Sequence, residues 1–174
     1  MLLPRTPAPA LECATLDGHF NLASHTPGRF TLIIVYRGLH CPLCRDQLQE
    51  VCGLLGPLAL LGVDVIAMSA DSKERALEAQ SLWQLGALTI GYDVAFSVAQ
   101  AWGLYVSNAR KPGEPERFFE PGLFLVRTDG ELYFAQTQNM PFGRASLAKL
   151  PHWLKKCIDN EVPARGEVDL ATLA

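Results

Sequence analysis

The chain has 174 residues, with 15 Lys plus Arg against 18 Asp plus Glu and a formal charge of −3. One domain accounts for that length, and its core needs no disulfide framework. The acidic balance argues against a nucleic-acid footprint, and 49% apolar against 19% charged residues argues against intrinsic disorder.

Residues 1–12 are rich in proline and read as extended, after which Thr15-Leu16-Asp17-Gly18-His19-Phe20 places a turn between two short apolar segments, a small hairpin. The run Thr-Leu-Ile-Ile-Val-Tyr at 31–36 is continuous, β-branched and apolar, as expected of a strand buried on both faces. It ends at Arg37-Gly38, just before Cys41-Pro42-Leu43-Cys44. A helix follows, because Cys44, Leu48, Val51, Cys52 and Leu55 repeat at helical spacing and Pro42 suits a first turn. A second strand is expected at 63–68 and a second helix from Asp71 to about Leu85. Strand, helix, strand, helix implies parallel pairing through right-handed crossovers.

A short strand at 88–92 and a short helix at 94–102 come next, then a polar segment at 107–121 that reads as a surface loop. Within it Phe118-Phe119 reads as an exposed apolar patch. Strands at 123–127 and 132–136 flank Asp129-Gly130, a strong hairpin signal, so the sheet starts parallel and ends antiparallel. The last helix is expected from near Gly143-Arg144, with Leu147, Leu150, Leu154 and Ile158 on one face and Pro151 kinking or restarting it. Residues 1–174 read as a single domain with 159–174 a loose tail.

Five cysteines, at 13, 41, 44, 52 and 157, are odd in number and unevenly spaced, which does not suit a paired secreted scaffold. The N-terminus, Met1-Leu2-Leu3-Pro4-Arg5-Thr6-Pro7, lacks the apolar run of a signal peptide, and the apolar stretch at 54–68 is broken by Gly56, Pro57, Gly62 and Asp64. The expectation is a cytoplasmic protein without a membrane span. There, Cys-x-x-Cys more often does redox or metal chemistry than bridges a structure.

Cys41 and Cys44 combine two devices that lower a thiol pKa, the Cys-x-x-Cys spacing and a helix N-terminus. Arg37, His40 and Arg45 bracket them and add positive charge. Cys44 shares the apolar stripe of Leu48 and Cys52, so Cys41 is expected to be the more exposed sulfur; in a dithiol mechanism the exposed thiolate attacks and its neighbour resolves, and the sequence leaves open which of the two attacks a peroxide. A zinc knuckle would need two further ligands at suitable spacing, and none is present, so no metal is assigned. No Gly-x-Gly-x-x-Gly run follows a strand, so no nucleotide cofactor is assigned, and reducing equivalents must come from a thioredoxin-like protein or a small thiol. Cys13 and Cys52 read as small hydrophobes, Cys157 as a structural thiol or a second resolving one, and Trp83, Trp102 and Trp153 as core.

The segment Val35-Tyr36-Arg37-Gly38-Leu39-His40-Cys41-Pro42-Leu43-Cys44-Arg45 resembles the active-site segment of the thioredoxin superfamily. From Pro9 to about Leu154 the chain resembles the peroxiredoxin-like branch of the alkyl hydroperoxide reductase/thiol-specific antioxidant (AhpC/TSA) family, down to Met140-Pro141-Phe142-Gly143-Arg144 before the last helix. The resemblance implies a thioredoxin-like α/β fold, a central mixed sheet flanked by helices with an N-terminal hairpin extension. In the family motif Pro-x-x-x-Thr/Ser-x-x-Cys, Cys44 falls on the peroxidatic position, Cys41 on the Thr/Ser and Arg37 on the Pro. The family's later Arg falls at Pro121, where thioredoxins have a proline, in cis, facing their cysteines. The implied activity is thiol peroxidase chemistry on a peroxide, with Arg37, Arg45 or Arg144 supplying the missing charge. The alternatives are a reductase of protein disulfides and a non-catalytic redox sensor. Related folds often dimerise, and the sequence leaves the oligomeric state open.

Overall fold

A computed structural model describes residues 2–173. Seven strands form one sheet. At its centre β3 (Phe30–Val35) runs parallel to β4 (Val63–Met68) and antiparallel to β8 (Gly122–Arg127). All six residues of β3 are buried, as its unbroken apolar run requires. Outward on one side lies β5 (Thr89–Tyr92), which takes the N-terminal hairpin of β1 (Glu12–Thr15) and β2 (Gly18–Asn21) along its free edge. On the other side β9 (Leu132–Thr137) closes the Asp129-Gly130 hairpin against β8.

Alternation along β3 divides the core into two layers. Leu32 and Ile34 face α1 (Pro42–Cys52), α3 (Lys73–Leu82) and α5 (Leu150–Asp159) through Leu48, Val51, Ala76, Ala79 and Leu154. Ile33 and Val35 face the opposite layer, where Trp102 of α4 (Val98–Trp102) meets Phe119 and Phe124. A short helix, α2 (Leu55–Leu60), stands apart from α1, where one helix running to Leu55 was expected. No helix among the described residues is long and apolar enough to cross a membrane.

Three further expectations are corrected. The polar segment 107–121 holds a two-stranded ribbon, β6 (Val106–Asn108) with β7 (Arg117–Phe119), whose Phe118 and Phe119 are buried, so they form no exposed patch. The last helix begins at Leu150 with Pro151 in its first turn, where a missing N–H costs nothing, which leaves Gly143 and Arg144 in irregular chain. Trp153 projects from that helix and is exposed, unlike Trp83 and Trp102. Residues beyond Asp159 touch the body through buried Ala164 and through Val162, whose carbonyl accepts the Tyr133 hydroxyl at 2.9 Å.

Candidate active site

Cys41 and Cys44 sit where β3 gives way to α1. Cys41 is the N-cap, in extended backbone, and its sulfur accepts the Cys44 N–H at 3.3 Å, one of the donors a helix start leaves unpaired. Cys44 lies one turn in, its sulfur accepting the Arg37 N–H at 3.4 Å. Both thiols are free. Their exposures are 1% and 0%, so the expected inequality of exposed area does not exist. They differ in outlook instead: Cys41 lines a cleft of about 440 Å³ with Arg37, His40, Leu43, Glu114 and Pro141, and Cys44 does not.

The cation at the sulfurs is Arg144. Its Nη2 lies 2.9 Å from Cys44 Sγ and 3.8 Å from Cys41 Sγ. Its Nε donates to the Pro141 carbonyl at 2.8 Å and its Nη1 to the Gln47 side chain, so the arginine is tied both to its own loop and to α1. Leu147, buried, anchors the same loop, and its N–H lies 3.4 Å from Glu50 Oε2.

The pair shares charge unequally. The Cys44 thiol donates toward Cys41, and with the Cys44 N–H, Arg144 and Arg37 it outweighs burial, so the Cys41 pKa is pushed down to about 6. Cys44 moves the other way, raised chiefly by burial and then by its hydrogen bond to Cys41. The favoured singly ionised state is a Cys41 thiolate held by a protonated Cys44.

The remaining sequence candidates fall at different distances from this chemistry. Arg37 turns its guanidinium away to Glu120 (3.2 Å) and Glu114 (3.5 Å), with its centre 4.5 Å over the Phe118 ring. His40 stacks edge-on against Phe118 at 4.6 Å, both ring nitrogens buried without a hydrogen-bond partner. Burial, and then Arg37, lower its pKa, so His40 is neutral and brings no positive charge. Arg45 pairs with Asp46 at 2.9 Å on the outer face of α1 and does not reach the sulfurs. Pro121 lies beside the site, next to Gly122, which pairs with Val35 at the end of β3. No peptide bond among the described residues is cis, so the thioredoxin-like cis Pro121 is not present. The Pro121 carbonyl accepts the Gln138 N–H at 3.1 Å.

Asp71 is a residue that sequence reasoning treated only as a helix start. Its buried carboxylate accepts the Leu39 N–H at 2.7 Å and the Arg75 Nε at 2.8 Å, fixing the turn that delivers Cys41. Gly38 makes room for it: a Cβ there would lie 2.6 Å from Asp71 Oδ2, and φ is +124°. Gly38→Ala is therefore expected to cost about 2–4 kcal/mol, read as a lowered urea midpoint, because strain and steric overlap coincide. An unchanged midpoint would show that the turn tolerates a side chain.

Cys157 is set apart. It lines a second cavity with Phe30 at the start of β3, while Cys41 follows the end of that strand. Six residues of strand separate those ends by about 20 Å, too far for Cys157 to resolve a bond at Cys41. Cys13 is buried against the sheet, and burial raises its pKa to about 11, as befits an inert thiol.

The AhpC/TSA family model matches residues 4–135. The fold is similar to that of a cysteine-to-serine mutant of peroxiredoxin 6 from Arenicola marina, at TM-score 0.76 and 15% identity over 93% of this chain and 76% of that one. It is likewise similar to the reduced 2-Cys peroxiredoxin of Plasmodium vivax (TM-score 0.74, 16% identity, 92% and 84% covered). Mycobacterium tuberculosis AhpC aligns over 97% of this chain and 99% of its own at TM-score 0.73 and 13% identity. No curated protein matches the sequence. At such identities the solved structures speak for the thioredoxin-like fold alone, whereas the family model spans three quarters of the sequence, cysteine pair included, and on that ground the chain belongs to the AhpC/TSA family.

Proposed function

We propose that the chain is a thiol peroxidase in which Cys41 and Cys44 cycle between dithiol and disulfide, with Cys41 attacking first. The observation that carries this reading is the placing of the Cys41 sulfur, which lines a cleft while only 1% exposed and accepts the Cys44 N–H at the start of α1, an arrangement that favours its thiolate. A peroxide is small enough to enter; a protein disulfide needs a sulfur that stands proud of the surface. This favours the peroxidase over the protein disulfide reductase.

The Cys41 thiolate attacks the hydroxyl oxygen of ROOH, forming an S–O bond as the O–O bond breaks, and RO⁻ leaves to take a proton as ROH. The Cys41 sulfenic acid then meets the Cys44 thiol three residues away. The Cys44 sulfur attacks, its proton joins the departing hydroxyl as water, and the disulfide closes across the first turn of α1. Arg144, within hydrogen-bonding range of Cys44 and 3.8 Å from Cys41, stabilises whichever sulfur carries charge.

Stopped-flow oxidation by hydrogen peroxide tests the reading. The expected rate constant exceeds that of free cysteine by at least about 10³-fold, the scale that a stabilised thiolate and a fixed cation together supply. A rate no higher than that of free cysteine, alongside brisk reduction of insulin disulfides, would hand the site to the reductase reading.

A further inference from the structure

Residues 111–114 line the cleft beside Cys41, and one carboxylate fixes their turn. Glu114 Oε2 accepts the N–H groups of Arg110 (2.8 Å) and Lys111 (3.1 Å), closing a turn around Pro112 and Gly113. Its Oε1 lies 3.5 Å from Arg37 Nη2, and Arg37 is braced from behind by Glu120 at 3.2 Å, which also accepts the Ser107 hydroxyl at 2.8 Å. The Arg37 and Glu114 side chains are 16% and 12% exposed, so water screens their attraction less than that of a surface pair. Lys111, Pro112, Gly113 and Glu114 thus form one wall of the cleft, and Pro141, in the loop that Arg144 ties to α1, stands on the other.

These walls bear on the second half of the cycle. Reducing the disulfide requires a thiolate to approach Cys41 Sγ in line with the S–S bond. A protein thiol brings a rigid surface of several hundred Å² with it, and two walls over a nearly covered sulfur hold that surface off. A cleft of about 440 Å³ is within the range that encloses a small molecule.

We propose that the Arg37–Glu114 pair is a clasp that selects the reductant: closed, it admits a low-molecular-weight thiol to the Cys41–Cys44 disulfide and bars a protein thiol, a proposal that rests on the dithiol cycle above. The first thiolate RS⁻ bonds to Cys41 Sγ as the S–S bond breaks, and Cys44 leaves as a thiolate beside Arg144 and takes up a proton. A second RS⁻ attacks the R sulfur of the mixed disulfide and releases RSSR and the Cys41 thiolate. Two electrons pass from two thiols to the protein.

The test starts from disulfide made with diamide, so that it does not depend on peroxide reactivity. Reduced glutathione and reduced thioredoxin are compared at equal thiol concentration, with regenerated thiols counted by alkylation and mass spectrometry. Glutathione is expected to reduce the parent at least about tenfold faster, and Glu114→Ala and Glu114→Gln to shrink that ratio to near unity, because access rather than thiol chemistry sets it. The Gln variant keeps an acceptor for the two loop N–H groups and removes only the charge, so an effect in both variants assigns selection to the ion pair. Thioredoxin matching glutathione on the parent, or an unchanged ratio in both variants, overturns the clasp. Failure of diamide to form the Cys41–Cys44 disulfide at all would instead overturn the dithiol cycle.

Discussion

Cys41→Ser is expected to lower peroxide consumption by on the order of 10³-fold or more, since it removes the nucleophile outright, whereas Cys44→Ser is expected to oxidise once and stop. The asymmetry follows from where the proton sits. Cys44 is deeper and disfavours charge, so it donates to Cys41, and a serine hydroxyl at that position can still donate. Cys44→Ser should therefore keep a reactive Cys41 thiolate, form a sulfenic acid that dimedone traps, and fail to turn over for want of a partner. Cys44→Ala removes the donor as well, and its Cys41 should ionise at a higher pH than in the serine variant. The family resemblance makes the opposite assignment available, since it puts Cys44 on the peroxidatic position, and Arg144 Nη2 is closer to Cys44. Dimedone labelling decides: a sulfenic acid in Cys41→Ser at the parent's rate would move the attack to Cys44.

Much of the fold was legible because its strands are short and strongly patterned. Five of the six residues of β3 and five of the six of β4 are apolar and carry their own signal, and Asp129-Gly130 announces its hairpin. The last helix was misjudged at its start because Leu147 continues the apolar period of Leu150 and Leu154; in the fold Leu147 is buried from an irregular loop, which helical spacing cannot distinguish. Likewise Phe118 and Phe119 lie in a polar stretch, and only the pairing of β6 with β7 shows that they face inward.

The cysteine pair was visible from spacing, but its electrostatics were not. Arg37, His40 and Arg45 are neighbours in sequence, yet one is neutral, one points to solvent and one spends its side chain on two glutamates. The cation at the sulfurs comes from a hundred residues downstream of Cys44, and the carboxylate that sets the turn from Asp71. Contacts at such separations leave no periodic trace in a single sequence. The resemblance offers Arg144 as one of three arginines that could supply the charge, and the folded chain singles it out from Arg37 and Arg45.

Arg144 therefore carries the other large prediction. Replacing it with Met keeps an unbranched apolar stem and removes both the charge and the hydrogen bonds to the sulfurs. The peroxide rate constant at neutral pH is expected to fall by about 10²-fold, the scale of losing one charged donor at a reacting centre. Its pH dependence separates a direct role from a loosened loop. A thiol with pKa about 6 is mostly protonated below that pH and mostly thiolate above it, so the parent's rate should rise from the acid side and level off near neutrality. Arg144 is one of the groups holding that value down, so in Arg144→Met the rise should move to higher pH. The deficit is then greatest in acid and shrinks as alkali ionises Cys41 in both proteins; what remains on the alkaline plateau measures the arginine's part in charge stabilisation once the thiolate is formed. Arg144→Lys restores a positive charge without the two-pronged donor, and should return the midpoint toward the parent's while recovering only part of the plateau. A variant whose rate falls by the same factor at every pH, with Lys no better than Met, would show that Arg144 serves only to hold residues 141–147 against α1.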